Sequence, residues 1–219
     1  MNMKKWVFCI VLSLLSQWVG AQTNDTLRVR GYLFVSQPIP EEVKDRMRGV
    51  SMPENAAIGF DELRYLTVFH YNYEGKIRKG ELVCHRTIAH DLLCVFKELF
   101  AGAYPIHSIR LVDDFGGSDE ASMRANNTSC FNYRNIAGTR MLSKHAQGLA
   151  VDVNPLENPS VRGERIRPQT AADYVDRSRD FPHKIDENDL CKRVFESHGF
   201  QWGGRWISGH DYHHFEKRQ

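Results

Sequence analysis

Ser143-Lys144-His145-Ala146-Gln147-Gly148-Leu149-Ala150-Val151-Asp152-Val153-Asn154-Pro155 changes character at its midpoint. Gly148 adopts backbone conformations closed to other residues, so a turn there is cheap. Beyond it Leu149, Val151 and Val153 alternate with Ala150, Asp152 and Asn154. In a strand the first set faces a core and the second faces the opposite side. Asp152 is therefore expected to project from a sheet into a cleft, with the small Ala150 beside it leaving room. His145 precedes the turn and can fold back to the same point. An imidazole and a carboxylate held together are two zinc ligands.

The third ligand is expected from Asp211-Tyr212-His213-His214-Phe215-Glu216. Phe215 suits a core, which puts His214 and Glu216 on the other face of a short strand. His145, Asp152 and His214 would then hold one zinc ion with an open position, the arrangement of a catalytic rather than a structural site. Asp211 lies three residues before His214, so an unbroken strand would aim it the wrong way. The chain must turn between 211 and 213, and Gly209 just upstream makes that loop plausible. There Asp211 can act as general base toward water. His70, His85, His90 and His107 have no comparable local support as ligands.

Outward from these stretches, Glu62 to Tyr71 is rich in aromatic and β-branched residues, Tyr73-Glu74-Gly75 reads as a turn, and Lys76 to His85 returns. This predicts a β-hairpin. Ile88, Leu92, Val95, Phe96 and Leu99 recur at helical spacing before Gly102, which predicts an amphipathic helix. A helix-like segment spans Glu41 to Met47, a strand Ile106 to Val112, and a short helix Asp186 to Ser197. Residues 22–30 read as polar and frayed. Residues 113–140 and the charged stretch from Pro155 to about Pro182 read as long loops, a length that points to binding or covering roles. No repeat or linker divides residues 22–219, so one domain is expected.

Composition narrows the class. A chain that is 42% hydrophobic and 26% charged is neither disordered, collagen-like nor a coiled coil. Its net charge of +2 resides in Lys4 and Lys5, and the remaining chain carries 27 basic and 27 acidic residues. That balance lacks the footprint of a nucleic-acid binder. Met1 to Lys5 are positive, Trp6 to Val19 are largely apolar, and Val19-Gly20-Ala21 is small. This is the pattern of a secretory signal peptide over residues 1–21, cut near Ala21. The apolar run of about 14 residues falls short of the roughly 20 that span a bilayer. The expectation is export to the periplasm or medium without stable membrane insertion. Cys84, Cys94, Cys130 and Cys191 remain, as buried thiols or as two disulfides in one of three connectivities.

The pattern S-x-H-x-x-G-x-A-x-D, here Ser143 to Asp152, arises by chance in roughly one chain in ten thousand of this length. Together with Asp211-Tyr212-His213-His214 it resembles the zinc D-Ala-D-Ala carboxypeptidase family, peptidase family M15. The resemblance extends over about residues 80–216, through Pro105-Ile106, Ser122-Met123, Asn127-Thr128-Ser129, Phe131-Asn132-Tyr133-Arg134 and Trp202-Gly203-Gly204-Arg205-Trp206. These look like the subfamily with aspartate as base.

The resemblance implies an α+β domain with a central antiparallel sheet flanked by helices and zinc on one face, as in DD-peptidases and Hedgehog domains. It implies His145, Asp152 and His214 as metal ligands, Asp211 as base and Arg134 as the arginine that binds the scissile carbonyl oxygen. Thr128, Ser129, Trp202 and Trp206 are expected to contact substrate. Ser143, Asn154 and Glu216 are expected to support the ligands by hydrogen bonds. His213 departs from the aromatic or apolar residue common there, and invites an alternative ligand or altered packing. The implied partner is a peptidoglycan stem peptide, cut by a D,D-carboxypeptidase or by an L-Ala-D-Glu-type endopeptidase; a non-catalytic zinc-containing binding domain is the third possibility. The sequence assigns no oligomeric state.

Overall fold

The computed structural model describes residues 24–136 and 138–217. The expected signal peptide over residues 1–21 lies outside the described residues. The first half of the chain builds an antiparallel meander of β1 (Asp25–Val29), β2 (Tyr32–Gln37), β3 (Leu63–Tyr71) and β4 (Ile77–His85), paired in that order. The predicted hairpin is β3–β4, in register from Leu63↔His85 to Tyr71↔Ile77. Residues 22–30 are not all frayed: Asp25 to Val29 pair with Ser36 to Tyr32, so the edge of the sheet starts there.

Strand alternation gives β3 two apolar faces. Leu66 and Val68 join the main core, while Leu63 and Tyr65 join a smaller one. The main core is closed by α2 (Ala89–Ala101), whose Leu92, Val95, Phe96 and Leu99 are buried as the helical period requires. The smaller core is closed by α1 (Glu41–Met47) through Val43 and Met47. Both helices lie where the sequence places them.

The second half is built of shorter pieces. The expected strand over 106–112 shrinks to β5 (Ser108–Ile109), which pairs in parallel with β6 (Asn127–Thr128). Between them lies α3 (Asp119–Arg124), where the Ser118 hydroxyl accepts a hydrogen bond from the Ala121 amide. Then come β7 (Ala150–Asp152), β8 (Ser160–Arg162), β9 (Arg165–Arg167), α4 (Leu190–Ser197), β10 (Gln201–Trp202), β11 (His210–Asp211) and β12 (His214–Glu216). The stretch read as a charged loop thus contains a hairpin, β8–β9. α4 starts a turn later than expected because Asp189 caps it, accepting from the Cys191 amide.

Two further antiparallel sheets result, β10-β12-β7 and β11-β8-β9. The α+β class with antiparallel sheets and flanking helices holds, the pairing being divided among small sheets rather than gathered in one. Phe215 of β12 is fully buried and stacks on Phe195 of α4 with ring centroids 4.2 Å apart. Cys84, Cys94, Cys130 and Cys191 are all free thiols, three of them buried. No helix among the described residues is long and apolar enough to cross a membrane.

Candidate metal centre

Each ligand is delivered by a local feature. Ser143 precedes a single 3-10 turn over Lys144–Gln147, and its hydroxyl accepts from the His145 amide at 3.2 Å. Gly148 closes that turn at φ +67, where a Cβ would come within 2.6 Å of the His85 amide nitrogen. The left-handed conformation and the close backbone approach both require glycine. The chain then enters β7, where Val151 and the flanking Leu149 and Val153 fill the core. Ala150, Asp152 and Asn154 are buried as well, so the strand is covered on both faces.

On β12, His214 stands directly opposite Asp152, and Phe215 anchors the strand from the other face. Asp211 belongs to a different sheet. It ends β11 opposite Ser160 of β8, and Tyr212-His213 turns the chain from one sheet into the other. Gly209 permits the approach, at φ +140, with a Cβ otherwise 2.4 Å from the Arg162 Cγ.

His145, Asp152 and His214 converge in the interior, and one donor atom from each lies within 4.8 Å of the others. His145 Nε2 is 3.2 Å from Asp152 Oδ1 and 3.3 Å from His214 Nδ1, which is 3.0 Å from the same carboxylate oxygen. Tetrahedral zinc with ligands at 2.0–2.1 Å separates donor atoms by roughly 3.3 Å, so the spacing suits that ion. The far nitrogens are committed elsewhere. His145 Nδ1–H donates to the Cys130 carbonyl at 2.6 Å, and His214 Nε2–H donates to Glu216 Oε2 at 3.2 Å. These bonds select the tautomers whose lone pairs face Asp152. Two imidazoles and a carboxylate held so fit a catalytic zinc ion.

The charges agree with the positions. Burial alone would raise the Asp152 carboxyl, but the charges of His145 and His213 and hydrogen bonds from His145 and His214 hold it well below its usual range. Burial alone would lower His214, yet its bonds to Asp152 and Glu216 push it up to about 10 in the absence of metal. Burial likewise opposes a charged His213, and the charges of Asp211 and Asp152 override it, to about 9. Burial alone would raise the Asp211 carboxyl, but the charge and contact of His213 and the charge of His214 together hold it below its usual range.

His213 is not in the ligand set. Its Nδ1–H donates to the Asn158 carbonyl at 2.7 Å, and its Nε2 stands 2.9 Å from Asp211 Oδ1. That contact is close enough for an ion pair but poorly aligned, and Asp211 Oδ1 is buried without a hydrogen bond.

These groups line a cleft of about 370 Å³. Arg134 and Trp206 line it too, the Trp206 ring 5.1 Å from that of His214. Arg134 is fixed by Asp119 at 2.8 Å. Ser143 touches His145 and Glu216 touches His214. Four other residues do not reach the cleft. Thr128 is fully buried, its hydroxyl accepting from the Asn154 amide. Ser129 exchanges backbone hydrogen bonds with Asp152, so it aligns β7. Trp202 packs in the core and donates to the Tyr212 carbonyl. The Asn154 side chain bonds the His107 amide and the Pro105 carbonyl, away from the ligands. Polar and aromatic types near a motif do not reveal which face they take.

Sequence reasoning missed the Cys130 carbonyl, since every residue carries one. It also missed Arg162, Arg165 and Arg167 on the cleft wall. Their alternation in Ser160-Val161-Arg162 and Arg165-Ile166-Arg167 was a strand signal masked by charge.

Residues 137–217 match the model of a family described as D-alanyl-D-alanine carboxypeptidase. No curated protein and no solved structure matches the chain. The matched segment contains all three clustered ligands, Asp211 and the strands that carry them. Over residues 137–217 the chain is thus similar to the M15 peptidase family.

Proposed function

We propose that the protein is an exported zinc-dependent peptidase of peptidoglycan stem peptides, of the D-alanyl-D-alanine carboxypeptidase type. The observation that carries this reading is the convergence of His145, Asp152 and His214 beside Asp211 in one cleft. The description of the matched family supports the substrate.

Zinc held by His145, Asp152 and His214 would polarise the scissile carbonyl and lower the pKa of water to about 7. Asp211 is ionised, as a base must be, and its unbonded Oδ1 is the atom that takes the proton of the attacking water. It then hands that proton to the leaving amine. Arg134 supplies a charged donor for the carbonyl oxygen as negative charge develops, and Asp119 holds it in orientation. Trp206 offers a flat apolar wall for the stem peptide. His145 and His214 keep their lone pairs directed inward through Cys130 and Glu216. Removal of residues 1–21 would deliver residues 22–219 outside the cytoplasm, where the substrate lies.

Mass spectrometry of defined stem peptides incubated with the zinc-loaded protein tests the proposal. Loss of one terminal alanine supports it. Cleavage inside the stem would assign the L-Ala-D-Glu-type endopeptidase instead, and intact peptides would leave a non-catalytic zinc domain.

A further inference from the structure

The β8–β9 hairpin carries an arrangement that folding alone does not favour. Arg162 and Arg165 are directly paired across the two strands, and Arg167 lies two residues beyond Arg165 on the same face. Like charges directly opposite in an antiparallel pair repel and weaken it. All three nevertheless share one face, and that face is the wall of the cleft. The other face, Val161 and Ile166, is apolar and does not line it.

The same sheet locates this face relative to the reacting groups. Asp211 pairs with Ser160, and Ser160 pairs with Arg167, so the three form one row across β11, β8 and β9. At about 4.8 Å between strands, the Arg167 backbone stands roughly 10 Å from that of Asp211. One end of the cleft therefore holds Asp152, Asp211 and Glu216 with the histidines. The other holds a cationic wall.

Part of that wall is already engaged, Arg134 and Arg167 by one carboxylate and Arg165 by a partner of its own. Asp119 receives both Arg134 and Arg167 at 2.8 Å, and Glu120 stands 3.8 Å from Arg167. Arg162 has no acidic partner among the described residues, and Arg134 Nε is buried without a hydrogen bond. Guanidinium groups arranged in this way match a carboxylate, which two parallel N–H donors can bind at once.

We propose that the Arg162, Arg165 and Arg167 face of the hairpin is a subsite for a carboxylate carried by the substrate. The proposal rests on the peptidase reading and makes the substrate an acidic peptide. The carboxylate has two sources: the free terminus of the residue released, or an acidic branch on a residue of the stem. Both offer the same oxygen pair to the arginines.

The test uses the zinc-loaded full chain and four stem peptides, with the terminal carboxylate and the internal acidic group each free or amidated. Amidating one of the two should lower kcat/KM at least tenfold, chiefly through KM. A terminal effect identifies the released residue as the source, an internal effect the stem. Arg162→Gln and Arg165→Gln, which leave the Asp119 pair intact, should raise KM for the acidic peptide and shrink the acid-to-amide ratio toward one. Equal rates on all four peptides overturn the subsite, as does an unchanged ratio in both variants. Calorimetric binding of the same peptides to the Asp211→Asn protein separates this from the peptidase reading. Without any hydrolysis, tenfold weaker binding of one amide still supports the subsite, and equal Kd values reject it.

Discussion

Glu216 Oε2 accepts the Nε2–H of His214 at 3.2 Å, two positions along the same strand. The bond leaves His214 Nδ1 as the nitrogen facing Asp152 and His145. Partners of this kind behind a metal-binding imidazole contribute on the order of 10–100-fold in metal affinity. Glu216→Ala should therefore weaken zinc binding by about that factor while the protein stays folded. Competition against a chelator of known affinity measures it, and an unchanged Kd would reject the role.

Under the proposed function Asp211 moves a proton rather than binding metal. Asp211→Asn keeps the side-chain size and should retain zinc near one ion per chain. Its turnover of a stem peptide should fall by about 10²–10⁴-fold, the range for a lost general base. Metal analysis together with product assay separates these effects. Normal turnover in the variant would remove Asp211 from the reaction.

The histidines set a pH dependence on the metal-free protein. Hydrogen bonds and charges from neighbouring carboxylates outweigh burial and raise His213 to about 9 and His214 to about 10, against an unfolded value of 6.5. A raised pKa means that the folded state binds the proton more tightly. This stabilisation is complete below pH 6.5 and is lost as pH rises through about 9 to 10. Melting temperatures of chelator-treated protein should therefore decline across that window. Zinc-loaded protein should show a flatter profile, because metal requires the ligand His214 neutral.

Gly148 joins the His145 turn to β7 at φ +67. Gly148→Ala would force a side chain into the left-handed region and against the His85 amide nitrogen. The expected cost is about 2 kcal/mol or more. In a chain of this size that lowers Tm by about 4–8 °C. A thermal melt checks it, and the zinc content of the surviving folded protein should drop with the displaced His145.

The His145, Asp152 and His214 cluster was legible because its spacing encodes geometry. A turn glycine followed by alternating apolar residues fixes where His145 and Asp152 point, and Phe215 fixes His214. The β3–β4 hairpin and α2 were legible through their periods for the same reason. β1 was hidden because Asp25-Thr26-Leu27-Arg28-Val29 is a half-exposed edge strand, although Arg30-Gly31 marks its turn into β2. The hairpin of residues 160–167 was hidden because its cleft face is charged and its strands have three residues each. Trp202 and Trp206 looked alike in sequence, and only the position of β10 against β12 sends one inward and the other to the cleft.

Asp211 and His214 are three residues apart in the chain yet sit in separate sheets, linked by Tyr212-His213. That junction separates the strand bearing one candidate ligand from the strand bearing the proposed base. Exchange of the hairpin arginines for residues of other length or sign would redirect selectivity while both imidazoles kept their orientation. For engineering, it marks Arg162 and Arg165, which lie beyond the strand pairing that seats Asp211, as the positions to vary.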